Sequence, residues 1–212
     1  MTITLERPKR VRRLPSQILP NMIPPSLLYE TMDGIPVYRK GYKDVLMGKK
    51  SLEEIMGAST LQSIIAYYLT ACIAKFIDED QYFVLINESG VHIDHRNNLS
   101  NDVAIYQQDV LTPEMVSTKY ADVPPKIAIE IDVKAEYEDL TELGYIYKKT
   151  EKLLDFGVEK VIWVISSVGK VMVSTKDKNW EVVDWSKDVE IMDGQFFNVL
   201  EYLKKRRIVI VQ

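Results

Sequence analysis

The stretch from Ile127 to Leu140 reads IAIEIDVKAEYEDL. Its opening alternates aliphatic and charged residues, with Ile129, Ile131 and Val133 on one side and Glu130, Asp132 and Lys134 on the other, as a pleated strand requires. One face is made for a core. The other carries acid, acid, base, and is either a solvated edge or a working surface. A carboxylate set between Ile129 and Ile131 is costly to bury alone, so Glu130 must be exposed or partnered.

The nearest candidate partner is Asp102, which opens the run DVAIY (102 to 106). If the two runs are neighbours in a sheet, Asp102 and Glu130 converge at its rim. Converging carboxylates repel unless they share a proton or a cation. Oxygen ligands with retained water suit magnesium or manganese. Asp132, about 7 Å farther along the same face by the rise per residue, is then expected to hold a second ion or a metal-bound water. A nearby ammonium group would orient an attacking water and offset charge gathering on a phosphate.

Around this stretch the hydrophobic spacing predicts the rest of the domain. Leu52, Ile55, Met56, Leu61, Ile64, Ile65, Tyr68, Leu69, Cys72, Ile73 and Phe76 recur at helical steps, with Ser51 and Glu54 forming a capping box at the start. Cys72 lies on that apolar stripe and reads as a packed thiol. Short β-rich runs follow at 81 to 86, 90 to 93, 102 to 106 and 126 to 134. Helical spacing returns at 140 to 156 and stops at Gly157, a fitting left-handed C-cap. The apolar run 161 to 165 reads as a strand buried on both faces. A peripheral hairpin is expected at 170 to 175 and 180 to 183, and a closing helix at 195 to 205. Helix, strands, helix and strand imply an α/β domain with a mixed central sheet flanked by helices.

The 212 residues suit one domain. Residues 1 to 27 hold five of the nine prolines and read as an extended basic arm, leaving 28 to 212 as the domain proper. Hydrophobic residues at 46% and charged residues at 27% exclude intrinsic disorder. The single cysteine excludes an internal disulfide, no run is long enough to span a membrane, and a cytoplasmic location is expected. A net charge of -4 means that any contact with nucleic acid must be local. Two basic clusters offer one, Arg7 to Arg13 and Lys204 to Arg207, each equally readable as a solvated end. His92 and His95 flank Asp94, but a strand and the turn after it need not bring their rings together, so this reads as a loop.

The ordered combination NDVAIY, PPKIAIEIDVKA and YKKTEKLLDFGVEKVIWVI, preceded by YETMDG at 29 to 34, resembles the Uma-type family of bacterial restriction-endonuclease-like proteins. That family is a branch of the PD-(D/E)XK nuclease superfamily, and the likeness spans roughly residues 28 to 175. It implies a restriction-endonuclease-like core, a magnesium-dependent (or manganese-dependent) phosphodiesterase site, DNA as substrate and a homodimer. On it, Asp102 and Glu130 are the metal-binding acids. Glu30 otherwise reads as a surface carboxylate beside the Asp33-Gly34 turn, and the likeness adds a role near the metal or its waters. The pattern departs in two places. Asn101 stands where the superfamily has proline, and Asp132 stands where it has the catalytic lysine. Lys134, one pleat later, is the first replacement and Lys149, eight residues before Gly157, the second. The expected function is a divalent-metal-dependent endonuclease hydrolysing DNA phosphodiester bonds. The alternative is a nuclease-fold protein that has lost the reaction and serves as a nucleic-acid-binding or structural module.

Overall fold

The computed structural model describes residues 23–136 and 140–210. Residues 1 to 22, which include the first basic cluster, lie outside the described part. The last residues of the expected arm do not stand apart from the domain. Pro25–Leu27 form a 3-10 turn, and Ile23 and Leu27 are buried against Tyr38 and Tyr42.

The chain then makes a hairpin of β1 (Leu28–Met32) and β2 (Ile35–Arg39). Asp33 and Gly34 both have positive φ, 55° and 77°, at the two-residue turn, the backbone twist that such hairpins favour. The sequence marks the Asp33-Gly34 turn but not the strands on either side of it. After α1 (Tyr42–Leu46), the expected long helix is broken. Ser51 and Glu54 do form their reciprocal capping bonds, but on the short α2 (Glu53–Met56). Gly57 is extended, and Ser59 caps a new helix, α3 (Thr60–Ile73). The two β-runs at 81 to 93 are one long strand, β3 (Tyr82–Asp94), with a register shift between Ile86 and Ser89. It pairs antiparallel with β4 (Asn97–Gln107), so Asp102 sits in mid-strand and does not open it.

Then come β5 (Ile127–Ile131), β6 (Ala135–Glu136), α4 (Glu142–Phe156), β7 (Lys160–Ile165), β8 (Lys170–Thr175) and β9 (Glu181–Asp184). The sheet order is β6-β2-β1-β4-β5-β7-β8-β9, with β3 on β4 as well. β5 and β7 are parallel, joined through α4, and the other pairings are antiparallel, which makes the sheet mixed as expected. Gly157 ends α4 at φ 122°. The closing segment is part strand: β10 (Val189–Met192) pairs with β11 (Gln195–Phe197), and α5 (Val199–Lys205) follows.

Both faces of β5 are covered. Ile127, Ile129 and Ile131 meet Ile65, Leu69 and Ile73 of α3, each such side chain stabilising the core by about 1.5–3 kcal/mol. Ala128 lies on the opposite face, where Tyr145, Ile146 and Leu153 of α4 pack with Val161 and Trp163. Glu130 shares this α4 face by strand alternation.

Candidate active site

The antiparallel register of β4 and β5 pairs Val103 with Ile129 and Ala104 with Ala128. Asp102 and Glu130 lie one step past these pairs, close enough for their charges to interact, but the two acids live in different surroundings.

Glu130 is 2% exposed. Its Oε1 lies 2.9 Å from the ammonium of Lys149, which reaches down from α4, yet that oxygen has no well-directed hydrogen bond among the described residues. Burial pushes the Glu130 carboxyl up to about 8; Lys149 opposes this, and the negative charges of Asp102 and Glu30 add to it.

Lys149 is wholly buried. Its Nζ donates to Glu30 Oε1 at 2.8 Å and to the Ser100 carbonyl at 2.7 Å. The rings of Tyr29, Tyr145 and Trp163 surround it at 5.6 to 6.0 Å. Burial disfavours its charged form, but the charges of Glu130 and Glu30 outweigh this and hold it above the usual lysine range. Glu30 is not the surface carboxylate expected from its turn. It is 3% exposed, and it accepts from the Ser100 amide and hydroxyl, both at 2.9 Å, and from the Tyr145 hydroxyl at 2.7 Å. The hairpin explains this: β1 pairs with β4 at Thr31 and Asn98, which carries Glu30 inward over the strand that holds Asp102.

Asp102 stands at the wall of a cleft of about 670 Å³. Its Oδ2 accepts from the Ile131 amide at 2.8 Å, and its Oδ1 accepts from Lys134. Lys134 also reaches Glu88 at 3.2 Å, and Arg39 lies 3.8 Å from Glu88. Lys134 therefore faces the cleft and Lys149 does not. On the opposite wall, Gln62 of α3 donates from Nε2 to the Ile131 carbonyl at 2.8 Å, fixing the end of β5. Lys40 and Lys50 line the cleft as well.

The alternation that was to place Asp132 beside Glu130 ends at Ile131. Asp132 has φ 60°, a left-handed conformation that aspartate tolerates and that reverses the pleat. Its carboxylate accepts from the amide and hydroxyl of Ser166, at 2.6 and 2.7 Å, across the end of β7. Lys134 reaches the acidic pair by the turn that follows, not by strand geometry. Four carboxylates, Glu30, Glu88, Asp102 and Glu130, thus face three cations, Arg39, Lys134 and Lys149. Among the described residues no three histidine, cysteine, aspartate or glutamate side chains converge as a ready metal cage. His92 instead bonds Asn98 at 2.7 Å.

Tyr145, Ser100, Glu88, Arg39 and Gln62 were not picked out from sequence as site residues. Tyr145 falls within the helical run 140 to 156 and packs there, and only its hydroxyl, which needs a partner when buried, points to more. The others carried no signal of spacing.

No known protein-family profile matches the chain, and no curated protein matches it by sequence. A solved structure shares the fold: a protein from Anabaena variabilis ATCC 29413 described as "a putative nuclease belonging to DUF820", with a TM-score of 0.61 and 12% sequence identity, covering 82% of this chain and 89% of that one.

Proposed function

We propose that this protein is a divalent-metal-dependent endonuclease that hydrolyses DNA phosphodiester bonds, with its site between Asp102 and Glu130. The observation that carries the reading is the pair of neighbouring carboxylates on adjacent strands: Asp102 at the wall of a cleft that Lys134, Arg39, Lys40 and Lys50 also line, and Glu130 buried next to it and close enough to feel its charge. The shared fold with the Anabaena protein and the ordered resemblance of the chain to a nuclease family support it.

The donor set fits magnesium or manganese. Such ions bind through one or two carboxylates and keep several waters, so two acids suffice without a full cage. The unsatisfied Oε1 of Glu130 favours a further positive charge at this spot. Asp102 and Glu130 would hold the ion, which would supply a hydroxide-like water and charge compensation on the phosphate.

The chain's own groups divide the remaining work. Lys134 now bonds the Asp102 oxygen that a cation would take, and in the reaction it turns toward the scissile phosphate, where its proton-bearing ammonium offsets developing charge. Lys149 has no route to the cleft, and is a positioning residue that holds Glu130 and Glu30 in place. Asp132 supports the end of the strand through Ser166. Cutting both strands of a duplex would use two copies of the chain.

A second reading is favoured by one observation. Lys134 and Lys149 already neutralise much of the acidic pair, as in a fold that has kept its charges and lost the reaction. Nicking of supercoiled plasmid separates the two. Cutting that needs magnesium or manganese, stops with chelator, and is lost in Asp102→Asn and Glu130→Gln supports the nuclease. Salt-sensitive DNA binding without cutting in any metal supports the inert module.

A further inference from the structure

Helix α3 is a ridge between two hollows. Gln62, Ala66 and Thr70 line the cleft that holds Asp102. On the other flank, Tyr68, Cys72 and Lys75 line a second hollow of about 590 Å³, closed by Tyr202, Lys205 and Arg206 of the C-terminal segment. Tyr67, on the crest, is 61% exposed and lines both. The second hollow is built and not incidental. Tyr68 and Tyr202 stack at 4.0 Å with their rings 11° apart, and the Tyr68 hydroxyl accepts from the Asn198 amide at 2.9 Å, fixing α5 against α3.

Arg206 donates from Nε to the Tyr202 hydroxyl at 3.4 Å and lies over that ring, but among the described residues no carboxylate balances the hollow's positive charge. Lys204, Lys205, Arg206 and Arg207 are consecutive and exposed, and Lys75 faces them across the hollow. Among the described residues none of these five forms an ion pair, and Glu201 is the one acid lining the hollow. Basic groups at helix C-termini complement the dipoles, and Lys75 past the end of α3 and Lys204 and Lys205 in the last turn of α5 do so, but such contacts contribute only about 0.3–1 kcal/mol each and leave the charges exposed. The acidic protein as a whole repels polyanions, so an uncompensated cluster beside the candidate site is where a phosphate backbone would be held.

We propose that a DNA duplex engaged in the cleft continues across the α3 ridge at Tyr67 and lays its backbone on the basic hollow formed by Lys75, Lys205 and Arg206. The inference rests on the nuclease reading. A helix with its side chains is about 10–12 Å across, a distance that a duplex covers along its axis in roughly three base pairs at about 3.4 Å each. The contacts are to phosphate, so they add affinity without sequence preference.

The test uses the full chain and two duplexes, one just long enough to fill the cleft and one longer by a helical turn, read by fluorescence anisotropy over a salt series. In Lys205→Glu/Arg206→Glu, affinity for the long duplex should fall about tenfold, with the salt slope smaller by about 2. Affinity for the short duplex and its metal-dependent cutting should not change. The neutral pair Lys205→Gln/Arg206→Gln, with a melting midpoint equal to the parent's, should lower the slope by about the same amount. Unchanged affinity and slope for the long duplex in either variant, with the parent still cutting, overturns this inference and leaves the nuclease reading standing. A parent that neither binds nor cuts either duplex overturns both.

Discussion

Replacing Lys149 with methionine keeps most of the side chain's volume and removes its charge. The ammonium is wholly buried, donates to Glu30 and the Ser100 carbonyl, and lies 2.9 Å from Glu130. Its loss leaves two buried carboxylates facing each other and one carbonyl without its donor. Breaking a buried charge pair from one side costs about 3–5 kcal/mol, and an orphaned buried acceptor about 1–3 kcal/mol. Proton uptake by Glu130, already easy because burial has raised its pKa, relieves part of the repulsion at neutral pH and less of it at pH 9. A net loss of about 4 kcal/mol is expected at alkaline pH, or roughly 8–16 °C in melting midpoint for a chain of this size. Urea unfolding followed by circular dichroism measures it directly. The triple variant Lys149→Met/Glu30→Gln/Glu130→Gln should recover most of the loss, because the charges left unpaired are gone. A single-variant loss under about 1 kcal/mol would show that Lys149 is not the counter-charge of the buried acids.

Other outcomes follow from the same contacts. Glu130 titrates near 8 in the folded protein against 4.5 as the free side chain, so the folded state keeps a proton that the unfolded chain releases. Stability should therefore fall as pH rises between those values, by at most about 1.4 kcal/mol per pH unit, and level off above them. Glu130→Gln, which mimics the protonated form, should flatten that slope in urea titrations; a parental slope in the variant would assign the proton elsewhere. Asp132→Asn should cost about 1.5–3 kcal/mol through the lost charged bonds to Ser166 while leaving plasmid nicking within about twofold, because a twofold effect is only about 0.4 kcal/mol of barrier. Abolished cutting in a folded Asp132→Asn would return that residue to the chemistry. Lys134→Met, which removes the group now competing for Asp102, should bind manganese more tightly than the parent in calorimetric titration yet cut more slowly; weaker manganese binding would contradict the competition.

The parts of the fold carried by periodicity were legible in the sequence. The strand Ile127–Ile131, the helix Glu142–Phe156 with its glycine stop and the buried strand Lys160–Ile165 all lie where hydrophobic spacing placed them. What was lost turned on single backbone angles. Asp132 at φ 60° ends the alternation three residues early, at Ile131, and nothing in IEIDVK distinguishes that aspartate from one inside a strand. Gly57 split the first helix at a residue whose helical cost is only about 1 kcal/mol, too little to decide the matter beforehand. That Asp102 and Glu130 lie near each other follows from the adjacency of their strands. The inward turn of Glu30 could not, because it depends on β1 pairing with β4 across a long separation in sequence. Lys149, read as the second choice for a catalytic lysine, is the group buried against Glu30 and Glu130, while Lys134 is the one that reaches the cleft.

The most direct measurement is anomalous diffraction at the manganese edge from crystals of the full chain soaked in manganese. A peak bonded to carboxylate oxygens of both Asp102 and Glu130, at about 2.0–2.2 Å and with Lys134 swung off Asp102, is the expected result. A chain that cuts DNA with its manganese bound elsewhere, or a saturated crystal with Lys134 and Lys149 still holding both acids, would contradict it.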